Sequence, residues 1–197
     1  MPLQLTQPPT TILDDLRRDL KDRAEQRTFL LPAMRGAAPS SLAVSTWHAL
    51  YSVDEDELSA SASLRKAAAF AGWRGLIHGA GSRPIAMAVQ SAPDGEGSAR
   101  FTLSEGDEVN DFVSAIALAE SALADEETGF DLTAVEIRSL YLTALWIQAA
   151  APPDDRLMVY SAGYGLDELA PLAFLDPPTF LSSVRRMLAL LPDEDYV

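Results

Sequence analysis

The sequence predicts one α+β domain in which a central, mostly antiparallel sheet is packed with about four helices. Three observations carry this expectation. Segments with helical spacing of apolar residues stand before, between and after the strands. The middle of the chain is a contiguous block of short β-rich runs separated by turn residues. Strand and helix alternate too irregularly for a doubly wound parallel sheet. The 197 residues, 48% apolar and 22% charged, suit one self-sufficient globular unit. The expected organisation is a flexible N-terminal arm over 1–9, a single α+β domain over 10–192 and a frayed acidic tail over 193–197. No internal repeat is legible.

The elements follow in chain order. Thr10 or Thr11 is placed to cap a helix from about Ile12 to Phe29, with Leu13, Leu16, Leu20 and Ala24 on one face and Asp14/Arg18 and Asp19/Arg23 paired on the other. The run Leu31-Pro-Ala-Met-Arg-Gly reads as a loop, and Leu42 to Val53, with its β-branched and aromatic residues, as a strand. Asp54-Glu-Asp-Glu opens a helix to about Ala71, its acids facing the positive end of the helix dipole. Trp73 to His78, Arg83 to Ser91 and Ala99 to Ser104 form a three-strand antiparallel meander, with Asp94-Gly95 as a hairpin signal. Asp107 to Ala124 is a helix with Val109, Phe112, Val113, Ile116, Ala119 and Leu123 inward. Val135 to Ile147 fits both periods. Its β-branched and aromatic content and the Pro-Pro-Asp-Asp break before Arg156–Tyr160 favour a long hairpin. Asp176-Pro-Pro-Thr opens a last helix to about Leu190.

The net charge of −14 is one-sided. Residues 1–105 hold 12 acids and 11 bases, whereas residues 106–197 hold 17 acids and 4 bases. That balance disfavours nucleic acid and anionic membrane, whose phosphates need a basic footprint, and admits a basic protein partner. Glu126 and Glu127 are the partner-binding candidates. The acidic half is expected to present at least one continuous negative face. The N-terminus has no basic stretch followed by an apolar run, and no apolar segment is long enough to span a bilayer, so a cytoplasmic protein is expected. Thirteen arginines against two lysines suit a GC-rich bacterial coding sequence.

Residue types limit the chemistry. Without cysteine there is no disulfide, thiolate metal site or cysteine nucleophile. The two histidines, His48 and His78, lie 30 residues apart, outside the spacing of a helical zinc motif. No Gly-x-Ser-x-Gly elbow and no Walker A loop occurs. One segment invites a ligand: His78-Gly79-Ala80-Gly81-Ser82-Arg83. There the glycines allow close backbone approach and Arg83 could clamp a carboxylate or phosphate. The ligand-binding candidates are thus His78, Gly79, Gly81, Ser82 and Arg83. No catalytic residue, metal or cofactor is assigned. The expected function is a non-catalytic acidic protein-binding module of immunity, chaperone or adaptor type. The alternative is a small-molecule-binding protein or enzyme built on the His78–Arg83 loop.

Overall fold

Strands β2 (Ala43–Val53) and β3 (Ala68–His78) form the longest ladder, and the rest of the fold is laid out from it. The computed structural model describes residues 3–38, 40, 42–78, 84–91, 100–163 and 169–191, with the backbone alone at His78. Beyond β3 the antiparallel meander continues through β4 (Ile85–Gln90) to the edge strand β5 (Arg100–Ser104). The β4–β5 register, Gln90 opposite Arg100, suits the expected hairpin, but Asp94-Gly95 itself lies outside the described residues. A second antiparallel meander runs β6 (Phe130–Ile137), β7 (Leu142–Gln148), β8 (Arg156–Ser161) and β9 (Phe174–Leu175). The two meanders join where β2 and β6 pair in parallel, Ala49–Ser52 against Thr133–Glu136. A short strand β1 (Leu3–Leu5) pairs in parallel with the start of β6. The sheet therefore has nine strands among the described residues, eight in the order β5-β4-β3-β2-β6-β7-β8-β9 and β1 beside β6 off this path, and is mostly antiparallel.

Among the described residues five α-helices cover it, of which three are long. Helix α1 (Thr10–Gln26) lays Ile12, Leu16 and Leu20 on Trp47, Trp73, Ile77 and Met87 of the first meander. Helix α4 (Asp107–Ala122) lies on the opposite face, its Phe112, Ala115 and Ala119 against Leu145, Ile147, Met158 and Tyr160. Helix α5 (Pro177–Leu188) shares the face of α1 and packs Phe180, Leu181 and Val184 on Ala144, Trp146, Leu157 and Val159. Alternate residues of β7 thus face α5 and α4, the period of two that a sheet buried on both faces requires. The two meanders also repeat one another: α1 precedes β2–β5, α4 precedes β6–β9, and each helix covers its own meander from the opposite side. This repeat of topology leaves no trace in the sequence.

Several expectations need correction. The helix opened by Asp54 ends early: α2 (Glu55–Ala60) stops at Ser61, α3 (Leu64–Ala67) is one turn, and Ala68–Ala71 belong to β3. Pairing of Val53 with Ala68 extends the β2–β3 ladder, and those cross-strand contacts outweigh the helical propensity of the alanines. Val135 to Ile147 is not one strand of a hairpin. It holds the end of β6, a 3-10 turn over Arg138–Leu140 and most of β7. Helix α1 begins at Thr10 behind Pro9 without a threonine side-chain cap, and it closes on Arg27 in the left-handed conformation. Leu3 to Leu5, expected in a loose arm, are held by β6, with Leu3 buried. The last helix starts as read: Asp176 accepts from the Thr179 amide at 2.8 Å, and Pro177 and Pro178 fill the first turn.

Two clamps tie the layers together. Arg65 on α3 grips the buried Asp155 with Nε and Nη2 at 2.9 and 2.6 Å, and the same carboxylate accepts from Trp146 Nε1 and the Ala149 amide. Arg185 on α5 donates to the carbonyls of Leu58 and Ser61, covering the C-terminal end of α2. Close backbone packing explains one glycine. Gly72 has φ +145°, and a Cβ there would come within 2.0 Å of the Val89 carbonyl oxygen.

Candidate functional site

The face of the sheet beneath α4 carries a buried polar cluster. Arg74 on β3 is 8% exposed, in a run of otherwise apolar residues. Its Nη1 donates to Tyr160 Oη at 2.8 Å, its Nη2 to Glu108 Oε1 at 2.9 Å, and its guanidinium lies 4.9 Å from the centre of the Phe112 ring. Burial works against the charge of Arg74, but Tyr160 and Glu108 outweigh it and hold the pKa above the usual arginine value. Burial likewise pushes the Tyr160 phenol up to about 12, against the opposing pull of Arg74. His48 on β2 completes the cluster. Its Nδ1 lies 3.1 Å from the Thr46 carbonyl, its ring packs against Phe112 at 5.1 Å, and Nε2 is buried without a partner among the described residues. Burial drives its pKa down to about 4, with the charge of Arg74 adding to the shift against the Thr46 contact.

These groups fit a structural role better than a catalytic one. His48 is neutral at pH 7, and no carboxylate among the described residues orients it. Arg74 is neutralised by Glu108. Among the described residues no nucleophile lies in hydrogen-bonded sequence with a base. Among the described residues, no group of three His, Cys, Asp or Glu side chains is placed to hold a metal ion. No helix among them is long and apolar enough to cross a membrane.

The two ends of α4 open onto different clefts. At its first turn a cleft of about 600 Å³ is lined by Glu108, Glu136, Arg138, Tyr141, Thr143 and Ser161 among others. Glu136, Thr143 and Ser161 are direct cross-strand neighbours on β6, β7 and β8, so one polar row forms its sheet side. Tyr141 stands at the tip between β6 and β7 in the left-handed conformation (φ 48°) with 72% of its surface exposed. Gly163 seats it: the Gly163 amide donates to the Leu140 carbonyl, and a Cβ at Gly163 would crowd the Tyr141 Cβ at 3.0 Å. At the other end of α4 a cleft of about 780 Å³ is lined by Leu3, Gln4, Glu120, Ala124, Glu126, Glu127 and Gly129.

The candidates read from sequence fall as follows. Glu126 and Glu127 are exposed and share this second cleft with Glu120, and Glu126 is also bonded to Arg156 at 2.8 Å. His78 is the last residue of β3, opposite Ala43, while Gly79, Gly81, Ser82 and Arg83 lie outside the described residues. Sequence reasoning passed over Arg74, Glu108, Glu136 and Tyr141. One signal was present: a single arginine inside the run Trp73-Arg-Gly-Leu-Ile77 must find partners if that strand is buried. The partners, 34 and 86 residues away, are visible only in the fold.

No protein-family model, curated protein or solved structure matches this chain.

Proposed function

We infer that this chain is a non-catalytic, acidic protein-binding module of a bacterial cytoplasm, and that it docks a basic protein partner at the C-terminal end of α4. The observation that supports this reading is the convergence of Glu120, Glu126 and Glu127 on one cleft. They stand at the C-terminal, negative end of the α4 dipole, which already favours a cation. Residues 106–197 supply nearly all of the net charge, so the field around this cleft attracts basic surfaces. Leu3, Gln4 and Ala124 give the cleft an uncharged floor on which a partner side chain would lose water. Immunity, chaperone and adaptor roles all fit such a surface.

The test is affinity purification of the full chain from its native organism at low and high salt, followed by Glu120→Lys and Glu127→Lys variants. A basic protein retained at low salt by the parent chain and lost by both variants supports the reading. A control reversal on the outer side of α1, Glu25→Lys, should leave capture unchanged. A partner retained equally by all four chains contradicts it.

A further inference from the structure

The cleft at the first turn of α4 has a composition of its own, independent of the docking cleft. Glu108 and Glu120, one in each cleft, are 12 residues apart on α4, about 18 Å at the helical rise. Two carboxylates from different elements converge at this end. Glu108 comes from the first turn of α4, its side chain 49% exposed, and Glu136 from β6, its side chain 26% exposed. Both line the same cleft. Each uses a single oxygen. Glu108 Oε1 accepts from Arg74, Glu136 Oε1 accepts from Arg138, and the second oxygen of each has no partner among the described residues.

Arg138 shows what the cleft accepts. Its Nε and Nη2 both lie 3.0 Å from Glu136 Oε1, yet its side chain is 70% exposed and is held by nothing else among the described residues. A guanidinium supplied by the chain itself therefore sits loosely at the mouth. Beside it stands Tyr141, an exposed aromatic ring on a backbone set in advance by Gly163, and Thr143 and Ser161 add hydroxyls along the wall. An aromatic face, two half-used carboxylates and hydroxyl acceptors together match a planar cation that stacks and forks its hydrogen bonds.

We propose that this cleft is a binding site for a guanidinium group, stacked on Tyr141 and bonded to Glu136 and Glu108, with Arg138 as its internal competitor. A free guanidinium compound and an arginine side chain carry the same chemistry, and two probes separate them: agmatine and the peptide acetyl-Gly-Gly-Arg-Gly-Gly-amide. The tyrosine ring carbons are labelled in the full-length protein, and the Tyr141 signal is identified by its loss in Tyr141→Phe. Both probes should shift that signal saturably at low salt with Kd in the millimolar range, as one stacked and paired cation allows. Tighter binding of the peptide marks an arginine side chain as the ligand. Equal or tighter binding of agmatine marks a free guanidinium compound.

Glu136→Gln should weaken binding by ~10-fold, and Arg138→Ala, which frees Glu136, should strengthen it several-fold. The opposite signs separate a ligand site from general damage to the fold. A Tyr141 signal that does not saturate with either probe, binding indifferent to Glu136→Gln, or equal binding of the matching lysine peptide would each overturn the assignment.

Discussion

Arg74 on β3 and Tyr160 on β8 are hydrogen-bonded at 2.8 Å although three strands lie between them. In a flat sheet four strand spacings would set them about 19 Å apart, beyond the reach of the two side chains. The sheet is therefore curled around α4, and this bond spans the hollow. Tyr160→Phe removes the acceptor while keeping the ring, and leaves a charged donor short of one partner. The expected cost is about 1–3 kcal/mol, read as a lower urea midpoint at unchanged slope. An unchanged midpoint would mean that the bond contributes nothing to holding the curl.

Asp155 accepts four hydrogen bonds at once, two from Arg65 and one each from Trp146 and Ala149. Removing it strands a buried indole N–H and a backbone amide, and leaves the Arg65 guanidinium only the Ala149 carbonyl. Removing Arg65, a third of whose side chain is exposed, leaves Asp155 two partners. Asp155→Ala should cost about 3–5 kcal/mol and Arg65→Ala clearly less. Equilibrium denaturation of both variants checks the order, and the reverse order would refute the account of the clamp.

His48 sets a pH dependence of known sign. The unfolded chain takes up its proton near 6.5 and the folded chain only near 4, because burial opposes the charge. Stability from this group is complete above pH 6.5 and falls as pH drops from 6.5 to 4, in total by about 3 kcal/mol, then levels off. The acid-limb loss should be smaller by that amount in His48→Gln than in the parent chain, other groups being common to both. Parallel stability–pH curves would contradict the buried, neutral histidine.

Gly72→Ala should be among the most damaging single-methyl changes in the protein. The added carbon meets backbone at Val89, which cannot yield as a flexible side chain would, and φ +145° is strained for any L residue. Loss of several kcal/mol, on the scale of exceptional substitutions, is expected in thermal melts. A near-neutral outcome would show that the β3–β4 ladder opens there at little cost.

How far the sequence speaks can be judged residue by residue. The α+β class, the antiparallel β3–β4–β5 run and the long helices were readable, because Leu16 and Leu20 on α1 and Phe112 and Ala119 on α4 repeat at helical spacing and Asp176-Pro-Pro marks a start. The turn at Arg138–Tyr141 was not readable. It contains neither glycine nor proline, and its tyrosine continues the period of two that runs from Val135 to Ile147. The chain spends a left-handed tyrosine there instead of a conventional breaker, which hides both an extra strand and the residue at the mouth of the guanidinium cleft. The acids split in the same way. Glu108 is an acid in the first turn of α4, but only the curl brings Arg74 beneath it. Glu126 and Glu127 were singled out by charge alone, whereas their meeting with Glu120 and β1 depends on the parallel pairing of Leu3–Leu5 with β6.

The most direct test of the docking reading is association kinetics of the purified chain with a basic protein that co-purifies with it, as salt is raised from about 50 mM to about 500 mM, over which the Debye length shortens from above 10 Å to a few ångströms. Steering by Glu120, Glu126 and Glu127 predicts that association slows steeply while dissociation changes little, and that Glu120→Lys with Glu127→Lys reproduces the slow rate already at low salt. An association rate that ignores both salt and the two reversals would contradict it.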